Sequence, residues 1–385
     1  MRFADALACP GLGAIAEVKR RSPSAGDLRP DADPAKLAAQ FAGAGAAAIS
    51  VLVDERFAGS LDDLRAARAA TDAPLLGKGF FSTEGHLREL RDAGADAVLL
   101  ILRDLDDGAC AHLLAYSREL GMDALVEAHD ADELQRAMQL DAPVIGINAR
   151  DLSTFDIDRR SQLRLVARAP RDRIVIAESG VQTRAQGAAA ELAGADAILV
   201  GSALMRARDP QAKLRELLSR PLVKVCGLTR QEDVDVAVEA GADLLGFIFA
   251  EKSPRRADAV LDVPDTAISV AVFVADTDET QADLVQFYPD DGGTVRGREA
   301  MLLREGRHVA RVLDQPWQEH DPVHWSVAAA TEGRIVLAGG LGPENVRDAI
   351  AAVRPWAVDA SSSLESEPGI KDHARVRAFV TAGHA

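Results

Sequence analysis

Ala93-Gly94-Ala95-Asp96-Ala97-Val98-Leu99-Leu100-Ile101-Leu102 joins the two signals that decide the fold of this chain. A glycine sits just past a helical pattern, where a left-handed residue ends a helix without strain. An apolar run of strand length follows at once. The same stop recurs at Ala42-Gly43-Ala44 and Ala193-Gly194-Ala195. Outward from this unit, apolar runs predict strands over 13–19, 47–53, 74–78, 97–102, 123–128, 144–148, 174–178 and 197–200. Helical patterns fall between them at 34–42, 60–69, 84–93, 108–120, 131–140 and 184–192. Strand–helix alternation implies right-handed βαβ units and a parallel sheet. Eight such units imply an α/β fold closed into a (β/α)8 TIM-type barrel. An open doubly wound sheet is the competitor, but no G-x-G-x-x-G follows the first strand.

A closing helix over 210–218 and a short linker end this unit, and at Leu222 the alternation restarts. Strands are expected at 223–226, 244–249, 268–273, 284–287, 308–313, 335–338 and 356–359. That is one short of eight, and the stretch between Phe287 and Ile335 is poorly patterned. Residues 222–385 are also few against the roughly 250 typical of this barrel. The expectation is two consecutive barrels, residues 1–218 and 222–385, the second shortened by about one βα unit.

Composition agrees with parallel sheets covered by helices. Of the 385 residues 48% are apolar but only 4% aromatic, so the cores must be built from Ala, Val, Leu and Ile. A net charge of −16 opposes non-specific binding to nucleic acid or an anionic membrane. Cys9, Cys110 and Cys226 show no spacing for disulfides or zinc, which fits a reducing compartment. No apolar run is long enough to span a bilayer, and the first residues do not resemble a signal peptide. A cytoplasmic protein without nucleic-acid or membrane partners is expected.

Reactive groups of such barrels lie at the C-terminal strand ends. In the first unit these ends carry Glu17 and Lys19, Lys78, Glu127, Asn148, and Glu178 with Ser179. Glu17 and Lys19 point the same way on a strand, because side chains alternate with period two. Alone they could be a solvated edge with a chance ion pair. Charges that end buried strands are costly unless they pair, so six at the same position of the repeat suggest one pocket. Ser179-Gly180 and Gly201-Ser202 close strands seven and eight, the usual phosphate site of this fold. In the second unit Gly339-Gly340 and Ser361-Ser362-Ser363 occupy similar places, and Cys226 ends the first strand before Gly227. A lone cysteine is more often a buried structural residue; at a strand end it is equally a candidate catalytic thiol.

Several runs carry a resemblance. Glu17-Val18-Lys19-Arg20-Arg21-Ser22-Pro23-Ser24, Leu125-Val126-Glu127, Ile145-Gly146-Ile147-Asn148-Ala149-Arg150-Asp151-Leu152, Ala177-Glu178-Ser179-Gly180-Val181 and Val200-Gly201-Ser202 make residues 1–218 resemble indole-3-glycerol-phosphate synthase. Lys224-Val225-Cys226-Gly227-Leu228-Thr229, Lys252-Ser253-Pro254-Arg255, Leu337-Ala338-Gly339-Gly340-Leu341, Val358-Asp359-Ala360-Ser361-Ser362 and Glu367-Pro368-Gly369-Ile370-Lys371-Asp372 make the rest resemble phosphoribosylanthranilate isomerase. The resemblance implies two steps of tryptophan biosynthesis on small phosphorylated anthranilate-derived substrates, by a monomer without metal or cofactor.

For the synthase it implies Lys78 as general acid, Lys19 on the departing carboxylate, and Glu127 and Glu17 moving protons. Asn148 and Glu178 would position the substrate, and Ser22 belongs to the first loop. Ser179, Gly180, Gly201 and Ser202 would grip phosphate. A lysine acid must lose basicity to work near neutral pH, and Lys19 is the expected cause. For the isomerase it implies Cys226 as base, Asp314 as acid and Arg255 on the anthranilate carboxylate. Gly339, Gly340, Asp359, Ser361 and Ser362 would hold its phosphate.

Departures from the family pattern are Gly79 where a carboxylate is expected, Tyr288-Pro289 where His-Gly is expected, no helical extension before strand one, and no Gly-rich loop after Asp314. The alternative to two activities is a synthase whose second barrel is only structural. A weaker third reading is another phosphate-binding barrel lyase or aldolase with a Schiff-base lysine.

Overall fold

The first eight strands are β1 (Gly13–Val18), β2 (Ala48–Leu52), β3 (Leu75–Lys78), β4 (Ala97–Ile101), β5 (Asp123–Ala128), β6 (Val144–Asn148), β7 (Ile174–Glu178) and β8 (Ala197–Val200). They pair in parallel in chain order, and β8 returns to β1 to close a barrel. The computed structural model describes every residue except 1, 24, 152–153, 290–297 and 315–321. Ser24 and Leu152 of the sequence motifs therefore lie outside the described residues. The chain divides into two compact units, residues 1–182 with 187–218, and residues 183–186 with 219–385.

The sequence legible as strand in the first unit is strand, within one residue at each end. The reason is burial on both faces: β4 and β6, for example, are buried at every position, and such strands read as unbroken apolar runs. Helices start where short polar side chains accept from the first free N–H groups. Asp33, Thr83, Asp106 and Asp130 cap in this way, and Ser60 forms a capping box with Asp63. Gly94 and Gly194 take the expected left-handed conformation, φ 98° and 118°. At the other repeat the helix runs through Gly43, and the left-handed residue is Gly45. The short helices Phe3–Leu7 and Ser202–Arg206 escaped the sequence reading, as did the helix Arg159–Arg168. Polar residues dominate it, yet it buries Gln162, whose Nε2 donates to the carbonyls of Ile147 (2.7 Å) and Glu178 (2.6 Å). It thus ties together the C-terminal ends of β6 and β7.

The barrel floor is sealed by a short helix, Phe3–Leu7. Phe3 and Leu7 are fully buried against Ile15, Leu76, Leu125 and Ile176 inside the barrel. The N–H of Ala4 donates to Asp123 Oδ2 (3.0 Å) at the start of β5. Apolar side chains fill the lower interior, so polar chemistry is confined to the opposite mouth.

The second unit corrects the strand count. It has eight strands: β9 (Leu222–Cys226), β10 (Leu244–Ile248), β11 (Ile268–Val274), β12 (Leu284–Tyr288), β13 (Arg298–Arg304), β14 (Arg307–Asp314), β15 (Ile335–Ala338) and β16 (Ala357–Ala360). They also close into a barrel. What is missing is helical cover, not a strand. Among the described residues only four helices accompany these strands: Gln231–Ala240, Pro322–Ala329, Val346–Val353 and His373–Gly383. The strand missed by the sequence, β13, runs antiparallel to both β12 and β14. Parallel neighbours need a long crossover, whereas a two-residue turn can only make a hairpin. Glu305-Gly306, both at positive φ, make that turn. An up–down–up meander therefore replaces two crossovers and leaves β14 parallel to β15. Asp314 thus ends the sixth strand.

β13 shows the burial of a one-sided strand: Ala300 and Leu302 are buried, while Met301 between them is 38% exposed. No described helix is long and apolar enough to cross a membrane. If β13 is part of the barrel wall, Leu302→Ala leaves a cavity inside it and costs about 2–5 kcal/mol in equilibrium denaturation. A loss under about 1 kcal/mol would remove β13 from the core.

Candidate active sites

Lys78, the last residue of β3, is the centre of the first site. Its Nζ lies 2.6 Å from Glu178 Oε2 on β7, 3.6 Å from Glu17 Oε2 on β1 and 3.8 Å from Glu127 Oε2 on β5. Lys19 Nζ sits 2.7 Å from Glu17 Oε1, as the period-two argument requires. Asn148 ends β6 beside them, its Oδ1 accepting from the N–H of Arg150 (3.0 Å). All five charged groups and the amide converge on one mouth.

Two glycines make the convergence possible. A Cβ on Gly146 would lie 2.0 Å from Glu178 Oε1, and one on Gly201 would lie 2.3 Å from Glu17 Oε1. Gly201 therefore does more than offer a turn for phosphate; it makes room for an acid. Ser179 and Gly180 are consecutive left-handed residues, φ 68° and 79°, which turn successive N–H groups into one concavity. Gly201 precedes the helix Ser202–Arg206 with no side-chain cap on its first turn. Ser22 is buried in the hairpin of Arg21–Ser22 with Gly26–Asp27. Arg20 anchors the root of that loop, with two bonds to Asp63 (2.7 and 2.9 Å) and one each to the carbonyls of Ala32 and Ala58.

Charge balance corrects one expectation. Burial alone would lower Lys78, but the Glu178, Glu17 and Glu127 carboxylates outweigh it and hold the ammonium above its ordinary range. Lys19 does not make Lys78 less basic in the free protein. Burial also works against the Glu17 carboxylate, but Lys19 and Lys78 keep it below its usual value. Glu178 and Glu127 split. Burial and the neighbouring Glu127 charge push Glu178 up to about 8, against the pull of Lys78. Glu127 resists burial through His129 and Lys78 and falls to about 2. The Glu178 carboxyl, kept protonated, and the Glu127 carboxylate share a hydrogen bond, which raises the first and lowers the second.

His129 was missed by the sequence reading. It stands two residues past Glu127, so the alternation that joined Glu17 to Lys19 would have found it.

The second site is a chain of polar contacts inside the other barrel. Lys224 Nζ donates to Asp359 Oδ2 (2.6 Å) and to Gln286 Oε1 (2.8 Å). Gln286 Nε2 donates to the Tyr288 hydroxyl (2.8 Å), which donates to Asp314 Oδ2 (3.1 Å). Cys226 follows two residues after Lys224 and is buried at the end of β9. A Cβ on Gly246 would come within 2.6 Å of its Sγ. Burial pushes the thiol up; Lys224 and Lys371 pull it down, and Asp359 adds to the rise. The group is a thiol rather than a standing thiolate in the free protein.

One assignment changes here. Asp359 does not belong to the phosphate loop; its carboxylate is buried in the ion pair with Lys224, where it would repel an anion. Arg255 is already paired: its Nε lies 2.8 and 2.9 Å from the two oxygens of Glu365, which also receives Lys371 Nζ at 3.0 Å. Asp372 caps the last helix. Gly339 and Gly340 do form consecutive left-handed residues, φ 95° and 63°. Ser361 Oγ is buried with no partner, beside Gly227, and Ser362 opens the short helical turn after it. Lys224, Gln286, Tyr288, Glu365 and Lys371 were not singled out from sequence.

Barrel mouths lined with paired acids and bases define a protein of the TIM-barrel enzyme class, here in two copies on one chain. The family model "Indole-3-glycerol phosphate synthase" matches residues 1–217, and "N-(5'phosphoribosyl)anthranilate (PRA) isomerase" matches residues 313–382. The chain belongs to the indole-3-glycerol phosphate synthase family and carries a phosphoribosylanthranilate isomerase family segment after it. A multifunctional tryptophan biosynthesis protein of Schizosaccharomyces pombe is 33% identical over 96% of this chain and 59% of its own length. An indole-3-glycerol phosphate synthase of Mycobacterium ulcerans is 49% identical over 56% of this chain and 79% of its own. The phosphoribosyl anthranilate isomerase of Thermotoga maritima is 27% identical over 43% of this chain and 98% of its own, with a TM-score of 0.35. The chain spans about three fifths of the length of the multifunctional relatives it matches.

The thiols provide a direct check of the second site. Cys9 is exposed, whereas Cys110 and Cys226 are buried, with burial pushing Cys110 up to about 11. A disulfide reagent near pH 8 is expected to modify Cys9 fast and the other two only on unfolding. Fast labelling of Cys226 in the native protein would contradict the buried, protonated state.

Proposed function

We propose that the chain catalyses two consecutive steps of tryptophan biosynthesis. Residues 222–385 convert phosphoribosylanthranilate into carboxyphenylamino-deoxyribulose phosphate, an Amadori rearrangement. Residues 1–218 then close the indole ring of that product, with loss of carbon dioxide and water. The observation that carries the reading is the Lys78 ammonium within 4 Å of carboxylates from three strands. Such a group is held charged beside the point where oxygen gains electrons, and it becomes the stronger acid as bound substrate parts it from those carboxylates.

In the synthase site Lys78 gives a proton to the substrate carbonyl oxygen as ring carbon attacks. Lys19, steadied by Glu17, receives the carboxylate that departs as carbon dioxide. Glu127 and Glu178 share the remaining proton traffic, and Asn148 orients the substrate. The concavity at Ser179-Gly180 and the turn at Gly201-Ser202 take the phosphate, with Ser22 at the edge of the loop that faces it.

In the isomerase site Asp314 protonates the ribose ring oxygen as the ring opens, and Cys226 removes the proton from carbon two. The thiol must ionise to act, and Lys224 and Lys371 are the charges that favour its anion. Arg255 binds the anthranilate carboxylate if it exchanges Glu365 for it. Gly339, Gly340, Ser361 and Ser362 hold phosphate. Closure of the second barrel by β13 supports an active second unit over a purely structural one. Neither step calls for a metal or redox cofactor in its chemistry, and the reading includes a cytoplasmic monomer.

Two separate assays on the full chain test the proposal. Lys78→Ala is expected to lower ring closure by at least about a hundredfold while leaving isomerisation intact. Cys226→Ala is expected to do the reverse. Unchanged ring closure in Lys78→Ala would take Lys78 out of the mechanism. Failure of the unaltered chain to consume phosphoribosylanthranilate would end the second assignment.

A further inference from the structure

His129 sits just beyond β5 with its side chain 3% exposed and an acid at each ring nitrogen. Nδ1 lies 3.0 Å from Glu133 Oε2, and Nε2 lies 3.2 Å from Glu127 Oε1. Glu133 is itself fixed. It belongs to the helix Ala131–Gln139, it accepts from the backbone N–H of His129 (2.8 Å), and Arg103 Nε reaches its other oxygen at 3.4 Å. Asp130 accepts from the N–H of Glu133 (2.8 Å) and so pins the first turn of that helix. The imidazole therefore has a set orientation: a carboxylate on one nitrogen decides what the other nitrogen presents. That nitrogen stands at ion-pair distance from Glu127 Oε1, without the alignment of a hydrogen bond, and the second oxygen of Glu127 is 3.8 Å from Lys78.

We propose that His129 is a positioning residue of the ring-closing site, an imidazolium that holds Glu127 as an aimed carboxylate and keeps the shared proton off it. This rests on the synthase reading above. Arg103–Glu133–His129–Glu127 form one line of alternating charge from outside the barrel to its reacting mouth. On the far side of Glu127 the facing charges are Lys78, Glu178 and Glu17. Without a cation behind Glu127, Lys78 would serve both Glu127 and Glu178, while Glu17 keeps Lys19.

Burial opposes the imidazolium, but Glu127 and Glu133 raise His129 to about 9. The sign follows directly. A raised histidine contributes fully below its ordinary value near 6.5, and the contribution is lost as pH rises through about 9. Its removal lets Glu127 rise from its depressed value, because one of the two cations that lower it is gone.

The test compares wild type with His129→Gln in ring-closing turnover from about pH 2 to pH 10. The expected result is a kcat about tenfold lower, KM within about twofold, and an acidic limb moved up by at least about one pH unit. A limb that stays in place, whatever happens to kcat, overturns the proposal, since a purely packing role would leave it there. Histidine NMR of the full chain gives a second readout that needs no turnover. An imidazolium at pH 7 that is lost more readily in Glu133→Gln is expected; a neutral ring at pH 7 refutes the inference. If wild type closes no ring, the synthase reading fails, and the NMR titration still decides the charge on His129.

Discussion

A buried ammonium among carboxylates is the constraint on which the first site depends. Lys78 is inside the barrel mouth, where an unpaired charge is very costly. Its three acidic neighbours come from β1, β5 and β7, so no local segment could supply them; only closure of the barrel brings them together. With Arg103 on Glu133, the cluster holds four cations, Arg103, Lys19, Lys78 and His129, and four carboxyl groups, Glu17, Glu127, Glu133 and Glu178. A stored proton therefore follows from burial and from the closeness of two acids, not from the count. Glu178, squeezed by burial and by Glu127, is the acid where that proton is cheapest to hold. A site that starts with one stored proton and one tightly held ammonium is suited to a reaction that moves protons several times without bulk water.

Most of this was legible in the sequence because strand side chains repeat every two residues. Glu17 with Lys19 was read that way, and the contact at 2.7 Å follows. The same rule joins Glu127 to His129, Lys224 to Cys226 and Gln286 to Tyr288, pairs that were passed over because only the last polar residue of each strand was weighed. What no strand-by-strand reading contains is the partner on another strand. Lys224 and Asp359 face each other where the first and last strands of the barrel pair, and Tyr288 reaches Asp314 two strands away, so Asp359 reads as part of a phosphate loop when it is a buried counter-ion.

The fold was legible wherever strands are buried on both faces, and failed where one face is open. β13 alternates buried Ala300 and Leu302 with exposed Met301, has arginine at both ends, and belongs to a hairpin. A search tuned to unbroken apolar runs passes over such a strand and counts seven. The mixed wall also explains how a short unit still closes. Antiparallel pairing of β13 with both neighbours does away with two crossovers, while strand number, which sets barrel radius, stays at eight.

Glycine is the least visible part of either site, and it decides whether the acids and the thiol fit. Gly146 pairs with Glu127 on one side and Ile176 on the other, and the space its missing side chain leaves is filled by Glu178. Gly201 does the same for Glu17, and Gly246 for Cys226. In each case the functional group projects across a neighbouring strand, so a methyl group there would meet a carboxylate oxygen or the sulfur rather than solvent. These glycines are fixed by packing against chemistry and not by backbone conformation, since none of the three has a positive φ. Strand register therefore binds fold to function in both barrels: a shift of one residue would turn every polar end group out of the mouth and bring a side chain into the space each acid now occupies.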